Sequence, residues 1–266
     1  MTMLNEEAIE ITKQQRQASS WITIALMHIW VPVWMILETA IGTVIFPLLL
    51  VIWLIVTRWS FSKIVRHLIW IYGRFWLWIV SPFVRLKLNI AKPEQLKKPR
   101  IYVANHLSFF DIFFLSAMPV FDVVICLRSW PFKMAWYALF MRFAGYLDVE
   151  SLSWEQILEQ TDKILKQGHS ILIFPQGHRS RDGRLTRFYS GAFNLACHFN
   201  VPIVPICITG TDQVLPPGRR WMAPADVRLE CLEQVEPKSR KQDLGHIELR
   251  KRVRKVMEVC LAKNRL

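Results

Sequence analysis

The sequence is short of the residues that build disulfide frameworks and metal centres. Its five cysteines (Cys126, Cys197, Cys207, Cys231 and Cys260) are scattered and odd in number, with no CxxC pair and no His/Cys cluster. That spacing argues against a disulfide scaffold and against a structural zinc site, and it fits a reducing compartment. No Gly-x-Ser-x-Gly elbow is present to carry a serine nucleophile. Internal repeats and low-complexity tracts are absent too. Residues 1–20, a polar segment, lack the basic start and short apolar core of a cleaved signal. Acids are scarce: 21 Asp and Glu stand against 34 Lys and Arg, a net charge of +13.

Apolar residues, by contrast, make up 52% of the chain. Oily composition with strong basicity points to a membrane-associated protein facing anionic head groups. Nucleic acid is the competing explanation for a basic chain. Most of the twelve tryptophans lie at or before position 78, and indole settles at the head-group level, so lipid and not nucleic acid is the expected partner.

Trp21 to Thr57 is almost uninterrupted apolar sequence, about twice the ~18 residues that suggest one membrane span. One helix of that length would be ~55 Å long, too long for a bilayer core. Glu38, with Thr39 and Gly42 behind it, is the natural break, so the expectation is a hairpin of helices near 21–37 and 41–57, crossing the bilayer or dipping into one leaflet. His28 and Glu38 are then either intramembrane functional groups or a helix-facing imidazole and a polar tip. Residues 58–100 hold ten bases and one acid, against two bases and three acids in 1–20. That asymmetry places both ends of a hairpin, and the domain that follows, on the cytoplasmic face (the inner membrane if the source is bacterial). Over 59–80, Lys63, Arg66, His67 and Arg74 fall on one helical stripe. This is either an interfacial helix with cations toward lipid phosphates, continuing into a link up to residue 90, or a buried helix with one wet edge.

From residue 91 to the C terminus, short strands alternate with helices: strands at 101–104, 123–127, 170–174, 202–208 and 227–234, helices from about 109 and near 131–143, 153–167 and 190–199, and a basic tail helical from Leu244. The pattern predicts an α/β fold with a mixed, largely buried sheet flanked by helices, preceded by the hydrophobic helical hairpin.

Asn105 and His106 follow the strand 101–104, at the strand end where open α/β sheets place ligands. Ser108 is a plausible N-cap, which would set Asp111 in the first turn of a helix whose dipole favours a carboxylate. Asp111 can then reach back to one ring nitrogen and leave the other to accept a proton from a hydroxyl. On spacing alone, a structural His–Asp pair fits as well as a catalytic one. A second loop, ILIFPQGHRSRDGRL at 171–185, brings Arg179, Arg181 and Arg184 to another strand end, with Arg187 just beyond. Guanidinium groups there suit phosphate recognition, though Arg184 and Arg187 could equally be solvated surface.

NHLSFFD (105–111) resembles the N-H-x-x-x-x-D block of the glycerophospholipid acyltransferase family, FPQGHRS (174–180) its F-P-E-G-T-R-S block, and VPIVPI (201–206) its proline-containing fourth block. SGAFNLA (190–196) is similar to the helix after the third block. The resemblance runs over roughly 85–235. It implies a membrane-associated O-acyltransferase with His106 as catalytic base, Asp111 as its orienting carboxylate and Arg179 as a ligand of acceptor phosphate. Gly177, Gln176, Ser180 and Arg128 would complete the substrate site. The acyl donor would be acyl-CoA or acyl-carrier protein, the acceptor a lyso-lipid resembling lysophosphatidic acid, with no metal or other cofactor. Three positions depart from the pattern. Gln176 stands for Glu, His178 for Thr, and Ser151 for the Arg common at the end of the second block, while Arg128 either restores the missing charge or is a surface residue. These departures put the acceptor in doubt and leave room for another lyso-lipid, a lipid-linked amino acid or a specialised lipid. A lipid-binding relative without chemistry, and a hydrolase directing water at a thioester or lyso-lipid, are the other function classes.

Overall fold

The computed structural model describes residues 2–219, 221–237 and 245–264. The expected break at Glu38 is not there. α1 (Thr2–Val56) is one helix that passes through Glu38, Gly42, Pro32 and Pro47. A single interior Gly costs only ~1 kcal/mol, and no turn sequence accompanies it. The chain reverses later, at 57–60. There Thr57 Oγ1 donates to Trp53 O at 2.7 Å, and Ser60 caps the next helix by accepting from Lys63 N–H at 3.4 Å. A hairpin therefore exists, but its second arm is α2 (Phe61–Val80). The arms run antiparallel: Trp30 Nε1 donates to Ile79 O at 3.0 Å, Thr39 Oγ1 meets Tyr72 OH at 3.1 Å, and the Trp53 and His67 rings lie 4.5 Å apart.

Most of the cationic stripe of α2 faces inward. Arg66 is buried, donating from Nε and Nη2 to Asp122 Oδ1 (3.0 and 2.7 Å) and from Nη1 to Ala144 O (2.8 Å). Lys63 Nζ lies 3.3 Å from Asp122 Oδ2, which also takes His169 Nδ1 at 2.8 Å. His67 is enclosed by Trp53, Trp59, Trp70 and Phe121. Lys63, Arg66 and His67 thus face the protein and not lipid phosphates, while Arg74 is exposed and stacks over Trp70.

The α/β unit starts earlier than residue 91. The alternating stretch Val84–Ile90 forms β1, pairing parallel with the strand Ala225–Cys231. The chain continues through β2 (Ile101–Ala104), α3 (Asp111–Leu115), β3 (Val123–Leu127), α4 (Ala135–Phe143), β4 (Leu147–Asp148), α5 (Trp154–Lys166), β5 (Ser170–Ile173), α6 (Gly191–Phe199), β6 (Ile203–Thr209), α7 (Thr211–Val214), β7 (Ala225–Cys231) and α8 (Gly245–Lys263). Leu244, the expected start of the last helix, lies outside the described residues. The sheet order is β1-β7-β6-β2-β5-β3-β4, with β6 and β7 antiparallel and the other neighbours parallel. It is a mixed sheet whose central strands are buried on both faces, while the edge strand β1 is largely exposed. In β2, Tyr102 and Ala104 join a core with Trp76, Ile79, Phe110 and Phe114, while Ile101 and Val103 join the core of α6 and α8 on the opposite face. This is the period-two alternation of strand side chains.

α2 packs directly on the segment that follows β2. Trp76 stacks on Phe110 at 4.8 Å and meets Phe114 edge-on at 5.2 Å. A Cβ on Gly73 would come within 2.7 Å of Ser116 Cβ. Replacing Gly73 by Ala should push α2 off α3, costing about 1–3 kcal/mol in a thermal or denaturant melt and lowering activity through the displaced α3. Burial pushes the Asp122 carboxyl upward, but hydrogen bonds and charge from His169 and Arg66 outweigh it and hold the group at about 2, below its ordinary 3.8. Because the folded value is the lower one, this stabilisation is complete above 3.8 and is lost as pH falls toward 2. After discounting for partial exposure it amounts to about 1–2 kcal/mol. Asp122→Asn should remove that stretch of the acid-unfolding curve, read as stability against pH between about 4 and 2.

Candidate active site

β2 and β5 are adjacent and parallel, so the loops leaving their C-terminal ends meet. Asn105 closes the first strand: its amide donates to Ile208 O at 2.8 Å and accepts from Ile208 N at 2.7 Å, bridging to β6. His106 follows, partly exposed, with Nδ1 2.7 Å from Asp111 Oδ2. Asp111 is wholly buried. Its Oδ2 also accepts from Leu107 N–H (2.7 Å) and Ser108 N–H (3.0 Å), and its Oδ1 from Thr211 Oγ1 (2.6 Å). The carboxylate is thus held by a nest of donors and not by the dipole of α3, which is only five residues long. Ser108 lies before that helix and not at its cap: its Oγ accepts from Phe110 N–H at 3.3 Å and donates to Leu215 O at 2.8 Å. An ionised carboxylate only accepts, so Nδ1 is the donor, and the neutral ring then offers Nε2 as a proton acceptor.

The arginine loop locks onto the same histidine. Ser180 N–H donates to His106 O at 2.8 Å, Gln176 Oε1 accepts from His106 N–H at 3.1 Å, and the Phe174 ring stacks on the imidazole at 4.4 Å. Gln176 is wholly buried, and its amide nitrogen donates to Thr186 Oγ1 at 3.0 Å. It therefore faces the protein and not a ligand, clamping the two loops together. Ser180 is buried as well, its Oγ spent on Asp182 Oδ1 at 2.9 Å. Gly177 has φ +70°, and a Cβ there would press on the Tyr189 ring at 3.1 Å; its N–H is used within the turn, on Phe174 O at 3.1 Å. These three residues build the loop that carries Arg179. Arg179 itself is exposed and makes no hydrogen bond or ion pair with another described residue, so its guanidinium is free for an anion.

Arg128 stands at the end of β3, on the far side of β5, and its Nε is 2.5 Å from Glu150 Oε1. Its charge is already countered. Ser151 is exposed and turned back on Asp148, its Oγ donating to Asp148 O at 3.2 Å. The structure thus brings together His106, Asp111 and the loop of Arg179, and leaves Arg128 in a separate ion pair. Thr211, Phe174 and Thr186 are not among the candidates that the sequence offers. Thr211 lies 100 residues from its partner, and no local pattern announces such a contact. Among the described residues, no group of three His, Cys, Asp or Glu side chains is placed to hold a metal ion. The five cysteines are free.

Residues 84–209 match the family model described as Acyltransferase. The chain is 34% identical over 156 residues to a chloroplastic 1-acyl-sn-glycerol-3-phosphate acyltransferase of Arabidopsis thaliana, covering 53% of this chain and 42% of that one. It is 26% identical over 226 residues to a 1-acyl-sn-glycerol-3-phosphate acyltransferase of Cocos nucifera, covering 81% and 70%. This chain therefore spans less than half the length of the Arabidopsis relative. Its fold is similar to the crystal structure of the 1-acyl-sn-glycerophosphate acyltransferase of Thermotoga maritima, with a TM-score of 0.69 and 21% identity over 92% of this chain and 98% of that one.

The Gln176 clamp can be tested by comparing two substitutions. Gln176→Leu removes both hydrogen bonds and strands the His106 N–H, so it should lower kcat about 10-fold or more. Gln176→Glu, which keeps the acceptor for that N–H, should retain more activity than Leu; equal losses in the two variants would show that the His106 contact is not what matters.

Proposed function

We propose that the chain is a member of the glycerophospholipid acyltransferase family and that it transfers a fatty acyl group from a thioester, acyl-CoA or acyl-carrier protein, to the hydroxyl of a lyso-lipid. One observation carries this reading: an imidazole whose Nδ1 is fixed on a buried carboxylate has its backbone bonded to a loop that presents an arginine with no partner among the described residues. Nε2 of His106 takes the proton of the acceptor hydroxyl as its oxygen attacks the thioester carbonyl. The tetrahedral intermediate collapses with cleavage of the C–S bond, and the imidazolium returns the proton to the departing sulfur. One O–H and one C–S bond are exchanged for one C–O and one S–H bond, and no acyl-enzyme forms. A positioned base supplies roughly 10²–10⁴ in rate, with alignment of the two substrates supplying more. Arg179 would hold the acceptor phosphate, as a guanidinium does well.

The site works at a membrane in this reading. Trp21–Val56 is a 36-residue apolar stretch of one helix, and along it Ile22, Leu26, Ile29, Val33, Ile36, Val44 and Leu48 are exposed. The opposite side packs on α2, which is tied to the α/β unit through Arg66 and Trp76. We infer that the pair lies in the cytoplasmic leaflet with its apolar side in the acyl chains and the site at the head-group level. An acceptor other than lysophosphatidic acid is a second reading. It is favoured by Ser151 standing where the family pattern has Arg, while the Arg128 charge is taken by Glu150.

Purified protein in lipid vesicles, given acyl-CoA or acyl-carrier protein and a panel of lyso-lipids, should release thiol and form acylated lipid in equal amounts. His106→Ala should reduce both by roughly 10²–10⁴ and leave vesicle binding unchanged. Thiol release without lipid product would support a hydrolase instead, and lipid binding without turnover by the wild type would support a binding protein. Arg179→Ala should raise KM for a phosphate-bearing acceptor by about 10-fold to 100-fold. An unchanged KM for every phosphate acceptor, with turnover on an uncharged one, would favour the second reading.

A further inference from the structure

The proposed base depends on Asp111, and one of the two oxygens of Asp111 has a partner that no sequence block covers. Oδ2 takes His106 Nδ1 and two backbone N–H groups, whereas Oδ1 takes Thr211 Oγ1 at 2.6 Å. Thr211 is wholly buried. An ionised carboxylate only accepts hydrogen bonds, so the hydroxyl donates.

The surroundings of Thr211 hold that hydroxyl in place. Thr211 opens α7, straight after β6. Gly210, just before it, has φ +85°, and a Cβ there would fall 2.0 Å from Asp226 O on β7. The start of α7 therefore sits against β7 with no room to shift. Just beyond the other end of α7, Leu215 O accepts from Ser108 Oγ at 2.8 Å, and Ser108 belongs to the loop carrying His106. The short helix is secured to the sheet on one side and to the catalytic loop on the other. Its length and its two ties suit a device that delivers one hydroxyl to one oxygen.

We propose that Thr211 is a positioning residue for the reaction, acting through Asp111: its hydroxyl holds Oδ1 so that Oδ2 stays on Nδ1 of His106 and the ring presents Nε2 to the acceptor hydroxyl. This rests on the reading of His106 as the base. Without the hydroxyl, Oδ1 is a buried acceptor with no donor, and the carboxylate is free to turn about its Cβ–Cγ bond and share both oxygens among the same donors. The imidazole then loses its single alignment, which affects the chemical step more than substrate binding.

The test compares Thr211→Val, nearly the same shape without the hydroxyl, with Thr211→Ser, which keeps it, in the full chain reconstituted in vesicles. Thr211→Val should lower kcat about 10-fold with KM for donor and acceptor unchanged, and Thr211→Ser should recover most of the loss. In an Asp111→Asn background the Val change should cost less than about twofold, because groups that act as a unit are not additive. Wild-type kcat for Thr211→Val, or the same 10-fold loss in both backgrounds, overturns the proposal. If thermal unfolding shows that Thr211→Val does not fold, Thr211→Ala and Thr211→Ser give the same comparison with the methyl lost from both. Equal kcat in that pair also overturns it. His106→Ala separates the two layers of the argument. Full activity in that variant would remove the base itself, whereas an inactive His106→Ala beside a wild-type Thr211→Val would remove only the role of Thr211.

Discussion

A carboxylate placed in a protein interior has to be met by donors, and the arrangement around Asp111 follows from that requirement. Four hydrogen bonds converge on it, from the imidazole of His106, two consecutive backbone N–H groups and the hydroxyl of Thr211. Two of these donors come from the loop itself, which must curl to bring Leu107 and Ser108 N–H toward one oxygen. The curl turns His106 outward at the end of β2, and the ring is then stacked against Phe174 of the neighbouring loop. The orientation of the proposed base is thus a consequence of satisfying a buried charge.

The second constraint is backbone-to-backbone. His106 offers its N–H to Gln176 and its carbonyl to Ser180, so the loop after β5 cannot shift without disturbing the loop after β2. Arg179 lies between these two contacts in sequence and is the residue of that turn left facing outward with its charge unpaired among the described residues. Buried Gln176, buried Ser180 and left-handed Gly177 are what displaying it requires. Close packing also links the site to the apolar helices. Trp76 of α2 lies on Phe110, and Gly73 lets α2 approach Ser116 closely, so the apolar helix pair and the segment carrying the proposed base are packed as one unit.

Much of this is legible in the chain. The five expected strands and the helices between them are all present; β2, β3, β5 and β6 read as apolar runs because burial on both faces leaves a continuous apolar run in a parallel sheet, whereas β7 alternates with charged residues. β1 is legible in principle: Val84, Leu86, Leu88 and Ile90 alternate with Arg85, Lys87 and Asn89. It is easily missed because it follows a long helical stretch and pairs only with β7, at the other end of the sequence. The cationic stripe of α2 has the period of an interfacial helix, but period does not say what lies opposite. Asp122, contributed by a later loop, turns Arg66 and Lys63 inward. The break expected at Glu38 fails on a balance of local and non-local terms, since packing along α2 outweighs one glycine.

The residue types and spacings of the two strand-end loops, the order of the elements and the apolar N-terminal stretch were determined by the sequence alone, because each depends on neighbours a few positions away. Which donors complete Asp111, whether Gln176 faces a ligand or the protein, where the long helix turns, and which cation is already paired were decided only by the tertiary structure. Those outcomes depend on partners up to 100 residues distant, and hydrogen-bond satisfaction in a closed interior is a property of the folded assembly and not of any segment of it.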